Sequence, residues 1–594
     1  MAVADYVNVN FGYSDIFGEM RSVKQVGKEL QDYNLWAVLI VASKLSIVLY
    51  KTPVKDNNEQ IKLLRSFFSQ ETREKIAKLF QARKNQGLSD EWVFFTEPPL
   101  LALIALAIDN CDSDAGQDIA TPEQLEQFGK WLLVLTEQWT HRAIAPRGMH
   151  YRMVNGKPKM TKYAVERMRM AFAEQSFLTS RPNILHQLAR TTLIVKRCAS
   201  NPHNLDIEQL FTDATGVTIS DYIGFGFSLM TEWSIHSSEP DLDNDVVRDM
   251  DYFSQMKLTP EQLQTLLGLY TMKLQDYESE NKEVISTVLR GSPHQNNFMV
   301  FMRHPVIMIG QQKIMCASPR LLANRTTLGV YWQMNEYLNR VDDKSRLGLL
   351  PKAWSVGFEK YALDRLESGF GSSKVIRNFT IKRYGELADG LVLGNKALLI
   401  IEAKALHIPY KMQLYASRPN MKSSLQQLFG TKKTRNPKKK HKRKGLQQID
   451  HFVSLLRDNA VQIPGYKLPD IIVPILVTED DLPADPINRR YYNGYASSVT
   501  PTLSRNKLYP FVILHIEELE YLEAIAEKST QQAEELIIEY CERQLMKNDV
   551  GMPTEVASFK NFIDWKDISL KNTKSLHDEF GKITDDLCKR FFSQ

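Results

Sequence analysis

Residues Leu387–Leu406 read LADGLVLGNKALLIIEAKAL, and the architecture turns on how this stretch folds. Leu391, Val392 and Leu393 form one apolar arm and Ala397 to Ile401 the other, which predicts a β-hairpin. Gly394-Asn395 lies between the arms, a pair that tolerates the positive φ angles of a two-residue turn. With those two residues as the turn, Leu393 pairs with Lys396 and Asp389 with Ile400. Side chains alternate along a strand, so Ile400, Glu402 and Lys404 share a face, and Asp389 falls on the same one. Asp389 is then diagonal to Glu402, roughly 7–8 Å away between backbones, a span that two carboxylates bridge through a metal ion. Glu-x-Lys alone is a common triplet and usually a solvated pair. Here it closes a run of five apolar residues, and charge at the end of a buried strand is unusual.

The flanking sequence extends the pattern. Val356–Glu367 reads as a helix with Glu359 on the same stripe as Ala362, Leu363 and Leu366. A carboxylate on an apolar stripe needs a partner, because a buried unpaired charge is costly. Lys374–Tyr384 reads as a strand ahead of the hairpin. After it, Met421–Phe429 reads as a short helix and Leu446–Asn459 as an amphipathic one, with Leu446, Ile449, Val453 and Leu456 on one side. Ile471–Val477 and Pro510–Ile516 read as two more strands.

Asp389, followed by Glu402-Ala403-Lys404 at the end of an apolar strand, resembles the PD-(D/E)xK nuclease superfamily, the restriction-endonuclease-like fold. Leu387-Ala388-Asp389 stands where the family name has Pro-Asp, so the proline is absent. The order helix, three strands, helix, strand matches the superfamily core with one extra strand, over about 350–520, roughly a third of the chain. The resemblance implies Asp389 and Glu402 as metal ligands, the Ala403 carbonyl as a third, and Lys404 as the cation that orients the attacking water. It implies that Glu359, on the first core helix, joins the metal site. Gln448, with Ile449 and Phe452 after it, is similar to a glutamine motif on the helix that follows the ExK strand in a large branch of the superfamily; Gln447 is the alternative. The cofactor implied is Mg²⁺ or Mn²⁺, since hard oxygen donors suit those ions.

The remaining sequence sets the context. Hydrophobic content of 43% and charged content of 24% over 594 residues suit a multidomain globular chain. The five cysteines, Cys111, Cys198, Cys316, Cys541 and Cys588, are scattered and form no zinc-like cluster, which is reduced, cytoplasmic usage. The N-terminus lacks the basic and apolar regions of a signal peptide, and the most apolar runs, Leu35–Tyr50 and Leu100–Ile108, are broken by Lys44 or too short for the roughly 20 residues that span a bilayer. Net charge is +5, yet Lys432, Lys433, Arg435, Lys438, Lys439, Lys440, Lys442, Arg443 and Lys444 supply nine positive charges within thirteen residues; without them the rest of the chain carries −4. Basic character this local is expected of a surface that meets a polyanion, so these nine residues are candidate nucleic-acid contacts.

Residues 1–295 read as mostly helical. Leu35–Lys51 and Ile61–Lys84 carry helical spacing, and the string TPEQL, at Thr121 and again at Thr259, carries a helix start with a capping box. Further helices are expected at Lys162–Ala173, Leu185–Arg197, Ile207–Thr212 and Ile219–Trp233. Phe298–Ile309 and Lys313–Ala317 read as strands, with a helix from Ser318-Pro319 to about Leu338. Glu517–Lys547 and Asp578–Phe592 read as C-terminal helices.

The expected fold is therefore α+β and multidomain. A helical region at 1–295 acts as sensor, partner-binding module or substrate clamp. A hairpin-helix docking element follows at 296–345, then a restriction-endonuclease-like core with a central mixed sheet at 346–530 and a helical segment at 531–594. The expected function is a metal-dependent phosphodiesterase acting on DNA, with no membrane association, in the manner of an antiphage defence effector. The alternatives are a ribonuclease and a catalytically inactive nucleic-acid-binding or scaffolding protein, with a homo-oligomer or protein partner engaged through the helical region.

Overall fold

The computed structural model describes residues 9–51, 57–85, 92–144, 151–154, 157–160, 184–235, 245–274, 276–277, 298–310, 312–405, 425, 445–480, 492, 495–496, 498–505, 512–545, 558–568 and 574–591. The basic run 432–444 and the helices expected at Lys162–Ala173 and, apart from Leu425, at Met421–Phe429 lie outside the described residues.

The N-terminal part is helical for the reason its sequence suggests. Leu35–Lys51 and Glu97–Asn110 are apolar around nearly their whole circumference, and both are buried against each other. Both TPEQL strings start helices, Pro122–Ile144 and Pro260–Tyr270. In each, the threonine hydroxyl accepts the N–H of the glutamine three residues on, and the glutamine side chain accepts the threonine N–H. Ile61–Lys84 is two helices, Asn57–Phe67 and Gln70–Lys84.

Strands also occur here. Val306–Ile309 and Lys313–Cys316 form the expected hairpin, but Val247–Asp249 and Thr271–Lys273, from within the region read as helical, flank it in a four-stranded mixed sheet. Tyr151–Val154 and Lys157–Met160 pair as a separate antiparallel ribbon. The segment read as a strand from Phe298 begins instead as the short helix Met299–Arg303, and the strand starts after Pro305, which has no N–H to continue a helix. The helix capped by Ser318 stops at Thr326 and resumes at Gly329, where the chain passes so close to Tyr222 that a Cβ would lie 2.7 Å from its hydroxyl.

The second sheet is the larger. Its strands are β1 (Val375–Ile381), β2 (Gly385–Leu393), β3 (Ala397–Lys404), β4 (Ile471–Thr478) and β5 (Val512–His515), in the spatial order β5-β4-β3-β2-β1. β1, β2 and β3 are antiparallel, and β3, β4 and β5 are parallel. The chain is thus α+β, with two mixed sheets among the described residues.

Five helices matter for this sheet: α1 (Ile184–Cys198), α2 (Lys344–Phe370), α3 (Leu446–Arg457), α4 (Ile516–Lys528) and α5 (Thr530–Leu545). α2 covers one face, against Val392, Leu399, Ile401, Val473 and Ile475, in an apolar cluster that continues from Phe11 to Phe591. α3 covers the other face, against Leu391, Leu398, Ile400 and Leu476, in a separate cluster.

α2 is held on its outer side by charge. Arg190 of α1 donates two hydrogen bonds, 2.6 and 2.7 Å, to Glu520 of α4, and Tyr361 of α2 donates a third at 2.7 Å. All three side chains are buried. Burial opposes the charge on Glu520, but Arg190 more than offsets it and holds the carboxyl at about 2. Trp354 of α2 donates to Glu479, just past β4, at 2.9 Å, while Arg377 of β1 bonds Asp364 and Glu367 of α2.

The contact between α1 and α2 depends on Gly357, where a Cβ would lie 2.4 Å from the Cys198 sulfur and 2.7 Å from the Ile194 carbonyl. Gly357→Ala is expected to cost about 1–3 kcal/mol in urea unfolding, although alanine is the better helix former by about 1 kcal/mol. Glu479 supplies a pH dependence. Burial raises its pKa to about 7, against the Trp354 hydrogen bond and Arg190. A carboxyl that holds its proton more tightly when folded stabilises the fold below its unfolded pKa, and that contribution is lost as pH rises through its folded value. The urea midpoint of the wild type is therefore expected to fall more between pH 5 and pH 8 than that of Glu479→Gln; parallel pH profiles would contradict the assignment.

Candidate metal centre

The hairpin that carries the site closes differently from the sequence expectation. Leu393 pairs with Leu398, Leu391 with Ile400 and Gly390 with Ile401, a register two residues from the one a Gly394-Asn395 turn would impose. The connection is set from outside the hairpin. The Lys396 N–H donates to Glu534 of α5 at 2.9 Å, and Tyr466 donates to the Gly394 carbonyl at 2.8 Å. A shift of two residues leaves every side chain on its face. Continuing this register brings Asp389 directly opposite Glu402 rather than diagonal to it.

The ladder between β2 and β3 ends at Gly390 and Ile401. Beyond that point each strand is held by its outer neighbour, β2 by β1 and β3 by β4. Asp389 Oδ2 takes the Ala403 N–H at 2.8 Å in the space where they part. Lys404 Nζ lies 2.6 Å from Glu402 Oε1 and 3.4 Å from Asp389 Oδ2. Asp389 and Glu402 are buried, with relative exposures of 5% and 1%. Glu402 Oε2 is buried with no hydrogen-bond partner among the described residues.

Glu359 of α2 and Glu386 of β2 complete the cluster: one carboxylate oxygen from each of Glu359, Glu386 and Asp389 lies within 4.8 Å of the others. Three residues separate Glu386 from Asp389, so a regular strand would put them on opposite faces. The pairing of β2 with β1 shifts by one residue between Glu386 and Ala388, and this bulge at Leu387 turns Glu386 to the Asp389 side. A one-residue bulge of this kind leaves no mark in the hydrophobic pattern, which is why the spacing of apolar residues did not point to Glu386.

The other expected residues are placed as follows. Ala403 meets Asp389 through its N–H, and Glu402 lies outside the group of three close carboxylates. Gln448 is half-buried on the first turn of α3, beside Gln447, and makes no hydrogen bond to Asp389, Glu402, Lys404 or Glu359 among the described residues.

The electrostatics are those of carboxylates in excess. Burial first, then the neighbouring Asp389, pushes Glu402 up to about 8, against the pull of Lys404. Burial, Asp389 and Glu386 push Glu359 up to about 7. Burial opposes the charge on Lys404, but Glu402 and Asp389 more than compensate and hold the ammonium above the ordinary lysine range. Lys404 is thus paired with both Asp389 and Glu402, while Lys360 as well as Lys404 draws Glu359 down. An orphaned buried carboxylate oxygen beside an all-oxygen donor set fits a hard divalent cation such as Mg²⁺ or Mn²⁺.

No protein-family model, curated protein or solved structure matches the chain.

If the cluster holds a cation, EDTA-dialysed protein should gain about 2.7 kcal/mol of stability at a free Mn²⁺ concentration of 100 Kd. Differential scanning calorimetry would show this as a rise in Tm. The rise should vanish in Asp389→Ala and shrink in Glu386→Ala; a full response in Asp389→Ala would rule the cluster out.

Proposed function

We propose that the chain is a metal-dependent nuclease of PD-(D/E)xK type that hydrolyses phosphodiester bonds in DNA. The observation that carries this reading is the meeting of Asp389, Glu402 and Lys404 where β2 and β3 part, with one ammonium against both carboxylates. The order of elements supports it: a helix, three antiparallel strands, a helix, and two strands parallel to the third.

Asp389, Glu402, Glu359 and Glu386 would hold the cation. Bound there, a divalent ion lowers the pKa of water and neutralises charge on the phosphate. Lys404 stays protonated between its two carboxylates and supplies positive charge for the attacking water and for the pentacoordinate phosphorus centre. Asp389 also acts through the backbone. By fixing the Ala403 N–H, it sets the orientation of β3 and with it of Glu402 and Lys404. Hydrolysis by water requires no covalent intermediate, so no nucleophilic side chain is called for.

The test is incubation of the purified chain with plasmid, linear duplex, single-stranded DNA and RNA, each with Mg²⁺, Mn²⁺ or EDTA. Cleavage of DNA that needs the metal and falls at least about 100-fold in Asp389→Ala, Glu402→Ala and Lys404→Ala is the expected outcome. Full activity in Glu402→Ala or in EDTA would falsify the proposal, and cleavage confined to RNA would redirect it to a ribonuclease.

The basic residues of 432–444 fall between the Glu402 strand and α3 in the chain, and we assign them to phosphate contact. Neutralising Lys438, Lys439, Lys440, Lys442, Arg443 and Lys444 is expected to weaken DNA binding and to flatten its dependence on salt, since fewer counterions are released. Equal slopes of log Kd against log salt for the two proteins would count against that assignment.

A further inference from the structure

β4 reads IIVPILVT and ends on Thr478. Its hydroxyl is buried, with 1% of the residue exposed, and Oγ1 has no hydrogen-bond partner among the described residues. A valine would fill the same shape without stranding a polar atom, and a buried hydroxyl left unpaired costs free energy comparable to a lost hydrogen bond. Packing alone therefore gives no reason for a threonine here.

The register supplies one. β3 and β4 are parallel, Glu402 pairs with Leu476 and Lys404 with Thr478, and paired residues of neighbouring strands project from the same face. Thr478 thus shares the face of Glu402 and Lys404, one strand over. The next residue shows the alternation: Glu479 turns to the opposite face and accepts from Trp354 of α2. Thr478 also has a companion in Glu402 Oε2, which is likewise buried and without a hydrogen-bond partner. The two oxygens do not bond each other. One is a carboxylate oxygen that calls for positive charge or a donor; the other is a hydroxyl that both donates and accepts. A hydrated divalent cation offers both at once: the ion to the carboxylate, and a coordinated water to the hydroxyl.

We propose that Thr478 is a further residue of the metal centre, a positioning residue whose hydroxyl holds a water coordinated to the divalent cation. This rests on the metal-centre reading above but not on which nucleic acid, if any, is cleaved. Second-sphere partners of this kind typically contribute 10–100-fold to metal affinity.

The experiment is calorimetric titration of the EDTA-dialysed full chain with Mn²⁺, for the wild type, Thr478→Val, Thr478→Ser and Glu402→Ala, alongside their Tm values in EDTA. Thr478→Val should bind Mn²⁺ roughly tenfold more weakly, with a Tm equal to or above that of the wild type, because a stranded hydroxyl has been removed. Thr478→Ser, which keeps the hydroxyl, should bind like the wild type. Wild-type Mn²⁺ affinity in Thr478→Val, or equal losses in the valine and serine variants, would overturn the assignment of Thr478 while leaving the metal centre standing. A wild-type chain that binds no Mn²⁺ would overturn both. Weakened Mn²⁺ binding in Thr478→Val with no cleavage of any nucleic acid would uphold Thr478 and remove the nuclease reading alone.

Discussion

The hydrogen bond from the Ala403 N–H to Asp389 Oδ2 is the constraint on which the site depends. Two antiparallel strands that kept pairing would satisfy their backbone groups with each other and leave no room for a cation. Here the ladder stops at Gly390 and Ile401, and a carboxylate takes over a donor that the sheet no longer serves. The same carboxylate faces Lys404, Glu359 and Glu386. One side chain therefore ends the pairing, orients the Glu402 strand and gathers the charges. The parted strands stay ordered because each has an intact neighbour on its outer side, β1 for β2 and β4 for β3.

Much of this was legible in the sequence, for reasons of period. A strand repeats every two residues, so a register error of two residues left Asp389 and Glu402 on a common face although the turn was misplaced. β4, β5, α3 and the helix containing Glu359 follow from apolar patterns strong enough to override their neighbours. What escaped the sequence depended on single residues or distant partners. The Leu387 bulge that recruits Glu386 is one inserted residue, and the hairpin connection is set by Glu534, some 140 positions away. Short strands such as Val247–Asp249 and Thr271–Lys273 have too few residues to show any alternation, and they exist because the 306–316 hairpin pairs with them. Thr478 lies one residue beyond the apolar run Ile471–Val477, and its significance appears only once the β3–β4 register is known.

The charge arrangement also explains why the site sits at the margin of two apolar clusters rather than inside one. Glu359 comes from α2, within the cluster that runs through most of the chain, while Asp389, Glu402 and Lys404 project on the α3 side. Burial, and then the crowding of carboxyls brought together from both sides, raises the pKa values of Glu402 and Glu359. A fully apolar closure at this point would be the more stable design. The structure instead keeps an acidic cluster in which burial and mutual repulsion favour protonation or a bound cation.

The lock on α2 has a consequence for how the chain is made. Arg190 and Glu520 lie 330 positions apart, and Tyr361 reaches the same carboxylate across 159. Until α4 has left the ribosome, Arg190 is a cation without its buried counterpart, and α2 lacks one of the contacts that hold it. Glu520 is synthesised 116 residues after Lys404, and translation at about 5–20 residues per second puts roughly 6–23 s between the two. All the residues of the acidic cluster are thus translated well before the helix carrying Glu359 gains its contact with Glu520. The seating of Tyr361 on its carboxylate is thus a late event in synthesis, its timing set by a buried ion pair.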